Sequence, residues 1–461
     1  MAPVSQGEIR EIAISGLGHS GEGVGRIEGF TVFVEGGLPG ETVRCRVGVV
    51  KKQYAKGSLL EVLQQAPERV QPPCPVYAAC GGCQLQHLSY EGQLTEKRAQ
   101  VQAALQRIGG LSDVPVHAVL GMEDPWRYRN KLLLPVARGA KGEVEIGCFA
   151  PGTHKVVHTE DCLIQQERNN EAAAAVRQVL AELSIPLYDE KTGQGAVRHV
   201  LARTGVNTGE LMVALVTATP TLPRKTEVIA KLRQRLPQLT SLMQNINNRR
   251  TNVVMGPVSK RLWGSEYIEE TLDGLTFRIS PLSFFQVNTL QAQVLCRQAL
   301  TYAALTGSET VVDAYCGAGS ITLLLARQAA KVYGVDVVAP AIEDAKKNAE
   351  RNELQDKVSF VTADAAVWMP ELAAKGQKAD VVVLDPPRAG CDHSVLEAAV
   401  TMRPDRIVYV SCNPASLARD AAILVELGYT VREVQPVDLF PMTHHVECVA
   451  LLQRKHTQDD V

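Results

Sequence analysis

TVVDAYCGAGSITLLLARQAAKVYGVD, residues 310–336, decides the fold. A continuous apolar run leads to Asp313, a loop with Gly317 and Gly319 follows, and an amphipathic stretch leads into a second apolar run ending in Asp336. Apolar runs alternating with amphipathic stretches describe strands buried on both faces between helices, which is a parallel, doubly wound sheet. The pattern continues through VSFVTAD, DVVVLDPPR, RIVYVSC and AAILVELGY, and TVREVQPVDLF and VECVALLQRK read as a closing pair of strands. Ligands of such sheets bind along the carboxyl ends of the strands.

Those strand ends carry polar residues in the right order for a nucleoside cofactor. Gly317 and Gly319 let the backbone approach a ligand at a helix N-terminus. Asp336, 19 residues after Gly317, suits ribose hydroxyls. Asp364 ends the third strand, where it can face an adenine edge. The third glycine of the dinucleotide fingerprint is missing, and D-x-Y-C-G-x-G resembles motif I of Rossmann-like methyltransferases, which implies S-adenosylmethionine (SAM). The fourth strand ends in VVLDPPRAG, residues 382–390, where two prolines stiffen the turn that holds Asp385. Arg388 stands where N-methylating enzymes keep an aromatic residue, which argues against an exocyclic nitrogen as acceptor.

The fifth strand ends in VSCNPASLARD, residues 410–420, placing Cys412 in the same row. A thiolate there has a use if the methyl acceptor is C5 of a pyrimidine. Addition of sulfur to C6 makes C5 nucleophilic, and a base must then remove the C5 proton so that elimination frees the enzyme. FPMTHHVECV, residues 440–449, offers Glu447 as that base, with His444 and His445 as rivals.

Outward from this domain, residues 1–64 alternate short β-branched runs with glycine turns, the pattern of a small all-β barrel. GLGHSG at 16–21 fits G-x-G-x-x-G, but more β-like sequence follows it and it reads as a turn. Residues 65–280 mix strands and helices without a repeat, giving a central α+β domain, and 281–461 form the Rossmann-like domain. Near the start of the central domain, CPVYAACGGCQ spaces Cys74, Cys80 and Cys83 as C-x5-C-x2-C, and Cys162 in HTEDCLIQ is the best fourth ligand. Such clustering favours a metal over disulfides, and the thiolates suit zinc and a [4Fe–4S] cluster equally. The spacing differs from that of radical SAM enzymes.

The net charge of −2 divides into +5 over residues 1–300 and −7 over 301–461, compatible with a polyanion-binding front half. Lys51, Lys52 and Tyr54 in the barrel combine charge with a stacking ring. WRYRNK, residues 126–131, interleaves Arg127, Arg129 and Lys131 with aromatics in the same way. No apolar run reaches the roughly 18 residues of a membrane span and the N-terminus does not read as a signal peptide, so a cytoplasmic protein is expected. Nothing calls for an obligate protein partner.

SCNPASLARD, LDPPRAG, FPMTHHVE and SPLSFFQVN, in combination, resemble the RNA uracil-5-methyltransferase family of tRNA and ribosomal RNA enzymes, over nearly the whole chain. The resemblance implies Cys412 as nucleophile, Glu447 as base and Asp385 as a positioner of the uracil. It places Gln286, Tyr315, Asp336 and Asp385 on SAM. Of Phe284 and Phe285, just before Gln286, one can stack on a flipped base, for which Phe284 is the candidate, while core packing suits the other. Arg419 and Asp420 match the same motif and brace the loop after the nucleophile. For Cys74, Cys80, Cys83 and Cys162 it implies [4Fe–4S]. The barrel resembles the TRAM domain and tilts the expected substrate toward 23S ribosomal RNA. A tRNA uracil-54 methyltransferase and a non-catalytic iron–sulfur RNA-binding protein are the alternatives.

Overall fold

The structure is a computed structural model that describes residues 2–455. Strands β1 (Ile9–Leu17), β2 (Gly23–Ile27), β3 (Phe30–Glu35), β4 (Thr42–Val50) and β5 (Tyr54–Gln64) close into a barrel in the order β1-β2-β3-β5-β4. Alternate residues such as Val32, Val34, Val43, Cys45 and Val47 fill its interior. Closure depends on Gly25, where a Cβ would lie 2.5 Å from Ile12 and 2.6 Å from the Ala13 carbonyl.

Helix α1 (Tyr90–Arg107) follows, started by Ser89, whose hydroxyl accepts from the Gly92 N–H. A second sheet comprises β6 (Lys131–Arg138), β7 (Val144–Phe149), β8 (Val156–His158), β9 (Val197–Thr204), β10 (Leu211–Thr217), β11 (Leu239–Ile246) and β12 (Val258–Gly264), in the order β12-β11-β10-β9-β6-β7-β8. Helices α2 (Glu167–Glu182) and α3 (Lys225–Arg235) cover one face, burying Val176, Leu180 and Leu232 against Leu132, Val200 and Val213. The other face joins the hairpin β13 (Ile268–Leu272) and β14 (Leu275–Ile279) and helix α4 (Thr289–Ala303) in one continuous core with the last sheet.

That last sheet holds β15 (Thr310–Ala314), β16 (Lys331–Asp336), β17 (Val358–Thr362), β18 (Val381–Leu384), β19 (Arg406–Ser411), β20 (Tyr429–Val437) and β21 (Glu447–Arg454), in the order β17-β16-β15-β18-β19-β21-β20. The first five are parallel and β21 runs antiparallel between β19 and β20. Helices α5 (Ser320–Ala326) and α6 (Ala339–Arg351) join α4 on one face, and α7 (Ala365–Ala374), α8 (His393–Thr401) and α9 (Pro414–Glu426) cover the other. Successive residues divide between these layers: Val311, Val383 and Val408 face α4, while Val312, Val382 and Tyr409 face α8 and α9. Helix α1 buries Val101 and Leu105 in the α9 layer, and Val116 and Leu120 bridge Val434 and Val437 beyond β20. Chain from before the second sheet thus completes the last one. Among the described residues no helix is long and apolar enough to cross a membrane.

Candidate active site

Strand order reverses between β15 and β18, and the cleft opens at their carboxyl ends. Phe284, Gln286, Asp313, Tyr315, Gly317 and Asp385 line it. Gly317 and Gly319 have φ of +54° and +85°, and a Cβ on Gly317 would meet nothing within 4 Å, so the loop leaves open space there. Asp336 holds this loop: its carboxylate accepts from the Gly317 N–H at 2.9 Å and the Val338 N–H at 2.8 Å. Asp364 is exposed and caps α7 through the Ala366 N–H at 2.9 Å. Asp313 is buried; one oxygen accepts from Thr322 at 2.5 Å and the other has no partner. Burial pushes its carboxyl up to about 7. An unpaired buried acceptor lining the cleft suits an ammonium donor such as the amino group of SAM. Phe285 is buried against Phe277, whereas Phe284 is 68% exposed at the cleft mouth.

Cys412 and Glu447 come from neighbouring strands. Ser411 pairs with Cys448 across β19 and β21, so the antiparallel register, carried one residue further, sets Cys412 opposite Glu447. Glu447 is buried and Cys412 half-buried. Burial, then the carboxylate of Asp385, pushes Glu447 up to about 8, and the facing Arg388 opposes this. Burial, with Glu447 and Asp385 adding to it, raises the Cys412 thiol to about 11, again against Arg388. Burial alone takes Asp385 to about 7. Arg388 is therefore a cation that counters negative charge at both Cys412 and Glu447, a placement its position after two prolines does not announce in the sequence. His445 lies 3.3 Å from Arg388 and His444 is 4.0 Å from His445, ring to ring; burial lowers both imidazoles, His445 to about 4.

Two braces hold these groups. Asn413 caps α9 through Ala415 and donates to the Arg388 carbonyl at 2.9 Å, tying the Cys412 turn to the proline turn. Asp420 is fully buried and accepts from the Cys391 N–H at 2.8 Å, Tyr409 at 2.5 Å and Arg419 at 2.8 Å, while Arg419 donates to the Ala389 carbonyl. The second brace fixes the turn ahead of Glu447. Lys97 of α1 pairs with Asp438 at 2.6 Å, both buried, and donates to the Phe440 carbonyl. Tyr90 donates to Asp438, Gln93 accepts from the Met442 N–H, and Tyr128 donates to the Pro441 carbonyl.

A second cavity, of about 380 Å³, is lined by Cys74, Cys80, Cys83 and Cys162, and by a fifth thiol, Cys148 of β7. The sequence gives Cys148 no spacing signal, since the strand pairing brings it there. Among the described residues no three Cys, His, Asp or Glu are grouped to hold a single metal ion. Arg129 and Lys131 also line this cavity, and burial with two neighbouring guanidiniums lowers Lys131 to about 8. Arg127 is held by Asp161 at 2.5 Å. The WRYRNK cluster therefore turns toward the thiols and an ion pair. Lys51 and Lys52 are exposed in the β4–β5 turn, and Tyr54 packs edge-on against Phe33.

The cleft, the reversed strand order and the closing antiparallel strand define a SAM-dependent methyltransferase domain, joined here to a small barrel. The TRAM domain model matches residues 3–60, and the tRNA (Uracil-5-)-methyltransferase model matches residues 231–455. An RNA methyltransferase of Halalkalibacterium halodurans is 47% identical over 99% of both chains, and one of Clostridium tetani is 48% identical over 98% of this chain and 97% of its own. The solved tRNA (uracil-54, C5)-methyltransferase of Pyrococcus abyssi, in complex with S-adenosyl-L-homocysteine, is 30% identical and covers 96% of this chain and 100% of its own, with a TM-score of 0.78. The chain belongs to the SAM-dependent RNA uracil-5-methyltransferase family.

Proposed function

We propose that the protein methylates C5 of a uridine in 23S ribosomal RNA through a covalent adduct between Cys412 and C6. The observation that carries the chemistry of this reading is the β19–β21 register, which sets a half-buried thiol opposite a buried carboxyl, beside Asp385 at the cofactor cleft, while the choice of 23S ribosomal RNA rests on the TRAM barrel. Cys412 sulfur bonds to C6, and the C5–C6 π electrons move toward C5 and O4. C5 then takes the electrophilic methyl group that bound SAM would supply, as the methyl–sulfonium bond breaks and S-adenosylhomocysteine leaves. Glu447 then takes the C5 proton, the C6–S bond breaks and the double bond re-forms. Asp385 orients the uracil, Arg388 favours the anionic forms of Cys412 and Glu447, and Phe284 offers a face for a flipped base. Glu447 suits the base role because its proton affinity lies near neutrality, whereas both histidines are poor proton acceptors there.

The five thiols line a cavity of about 380 Å³ whose wall is largely apolar and also carries Arg129 and Lys131, and this donor set suits a [4Fe–4S] cluster. Cys74, Cys80, Cys83 and Cys162 would hold it, with Arg129 and Lys131 offsetting its negative charge; no step of methyl transfer runs through it. Its role is to shape the surface that receives RNA in a cytoplasmic enzyme.

A tRNA substrate is the second reading, favoured by the Pyrococcus neighbour, whose match spans the barrel as well. Methyl transfer from labelled SAM to 23S ribosomal RNA and to tRNA, with the product mapped, separates the two. Absence of 5-methyluridine in both overturns the central proposal.

A further inference from the structure

We infer that Cys80 and Cys148 form an oxidative modification site: in protein without a cluster they join as a disulfide, which closes the thiol cavity to metal. The two side chains line the same cavity, and both are free and half-buried. A backbone bond from the Gly81 N–H to the Phe149 carbonyl, at 3.2 Å, lays the cysteine loop against β7 beside them. Both sulfurs lie 3.4 Å from the point that a Cβ on Gly82 would occupy, so they share one patch of the cavity wall. The Gly82 N–H also donates to the Cys80 sulfur at 3.3 Å, which fixes that side chain on the cavity wall.

The chemistry needs an oxidant, and hydrogen peroxide is the class proposed. Cys80 thiolate attacks one peroxide oxygen, the O–O bond breaks, and hydroxide leaves as the sulfenic acid forms. Cys148 sulfur then attacks the Cys80 sulfur, the S–O bond breaks, and the hydroxyl departs as water once protonated. Two thiols are oxidised to one disulfide, and one peroxide is reduced to two waters. The disulfide stands on geometry alone; its consequence for metal uptake rests on the cluster reading above.

The experiment uses the full chain, purified without iron and fully reduced, then exposed to peroxide, alkylated and digested for mass spectrometry. The expected result is one cross-linked peptide pair joining Cys80 to Cys148, lost in Cys148→Ala, with the remaining cysteines alkylated. Recovery of alkylated Cys148 after peroxide, or a bond from Cys80 to Cys74 or Cys83, overturns the assignment. A parallel arm measures iron and sulfide uptake before peroxide, after it, and after dithiothreitol. Uptake should be lost on oxidation and restored on reduction. Uptake that survives oxidation overturns the consequence even where the cross-link forms. If reduced, untreated protein takes up no iron and sulfide, the cluster reading and that consequence fall together, while the cross-link is judged on its own data.

Discussion

At the residue scale, the proposed mechanism requires Cys412 and Glu447 each to act as an anion in a pocket that disfavours anions. Activity in the free enzyme should therefore rise with pH, because both groups gain their reactive form on losing a proton. The limb should pass through about 8, where Glu447 titrates. Arg388→Met removes the opposing cation, and a pH profile of kcat/KM should show the limb displaced to higher pH. A limb that stays in place would dismiss Arg388 as the electrostatic partner. Glu447→Gln should lower turnover by about 10²–10⁴-fold while the RNA–protein adduct accumulates on denaturing gels. Rapid turnover by this variant would exclude Glu447 as the base, and Cys412→Ala should form no adduct. The same carboxyl has a stability signature. Its folded pKa lies above its unfolded value, so the folded state holds the extra proton and stability falls as pH rises between about 4.5 and 8. Thermal melts at pH 9 should then find Glu447→Gln more stable than the parent.

At the scale of elements, the site is a joint between turns that are far apart in the chain. Gly390 has φ of +84°, and a Cβ there would lie 2.4 Å from Arg419 and 2.6 Å from Asp420. The proline turn can therefore reach α9 only without a side chain. The Lys97–Asp438 pair is the stronger test of how α1 supports the turn before Glu447. Lys97→Met should cost about 3–5 kcal/mol in denaturant melts, because it leaves a buried carboxylate without its cation. Adding Asp438→Asn should recover part of that loss; an unchanged melt for the single variant would remove α1 from the support of the turn. This partnership spans 341 residues, which is why it was illegible in the sequence. What was legible is what stays local. Apolar runs marked the parallel strands, and Gly317, Asp336, Asp385 and Cys412 sit at strand ends because the chain turns there. Cross-chain geometry was not legible: Cys148 reaches the thiol cavity through strand pairing, and the alternation in WRYRNK describes a surface strip as readily as the cavity wall it forms. Phe284 and Phe285 were separable only in part, since adjacent residues in a loop carry no periodicity to say which one is buried.

At the scale of the whole molecule, the charge division of the sequence acquires a spatial meaning. Basic residues of the front half divide between the barrel surface, where Lys51 and Lys52 are free to meet phosphate, and the interior of the cysteine region, where Arg129 and Lys131 face thiols. These two groups should behave differently toward salt. Each lysine that neutralises a phosphate of single-stranded RNA contributes about 0.7 to the slope of log K against log salt. Lys51→Ala with Lys52→Ala should therefore flatten the slope by about 1.4, weaken binding, and leave kcat at saturating RNA unchanged. Arg129→Ala should leave that slope alone and instead lower the iron retained by anaerobically purified protein, since its positive charge offsets thiolates. Titrations across a salt series, with iron analysis of the same preparations, distinguish the two. A flattened slope for Arg129→Ala with full iron content would return that arginine to the RNA-binding surface and leave Lys131 as the remaining cation of the cavity wall.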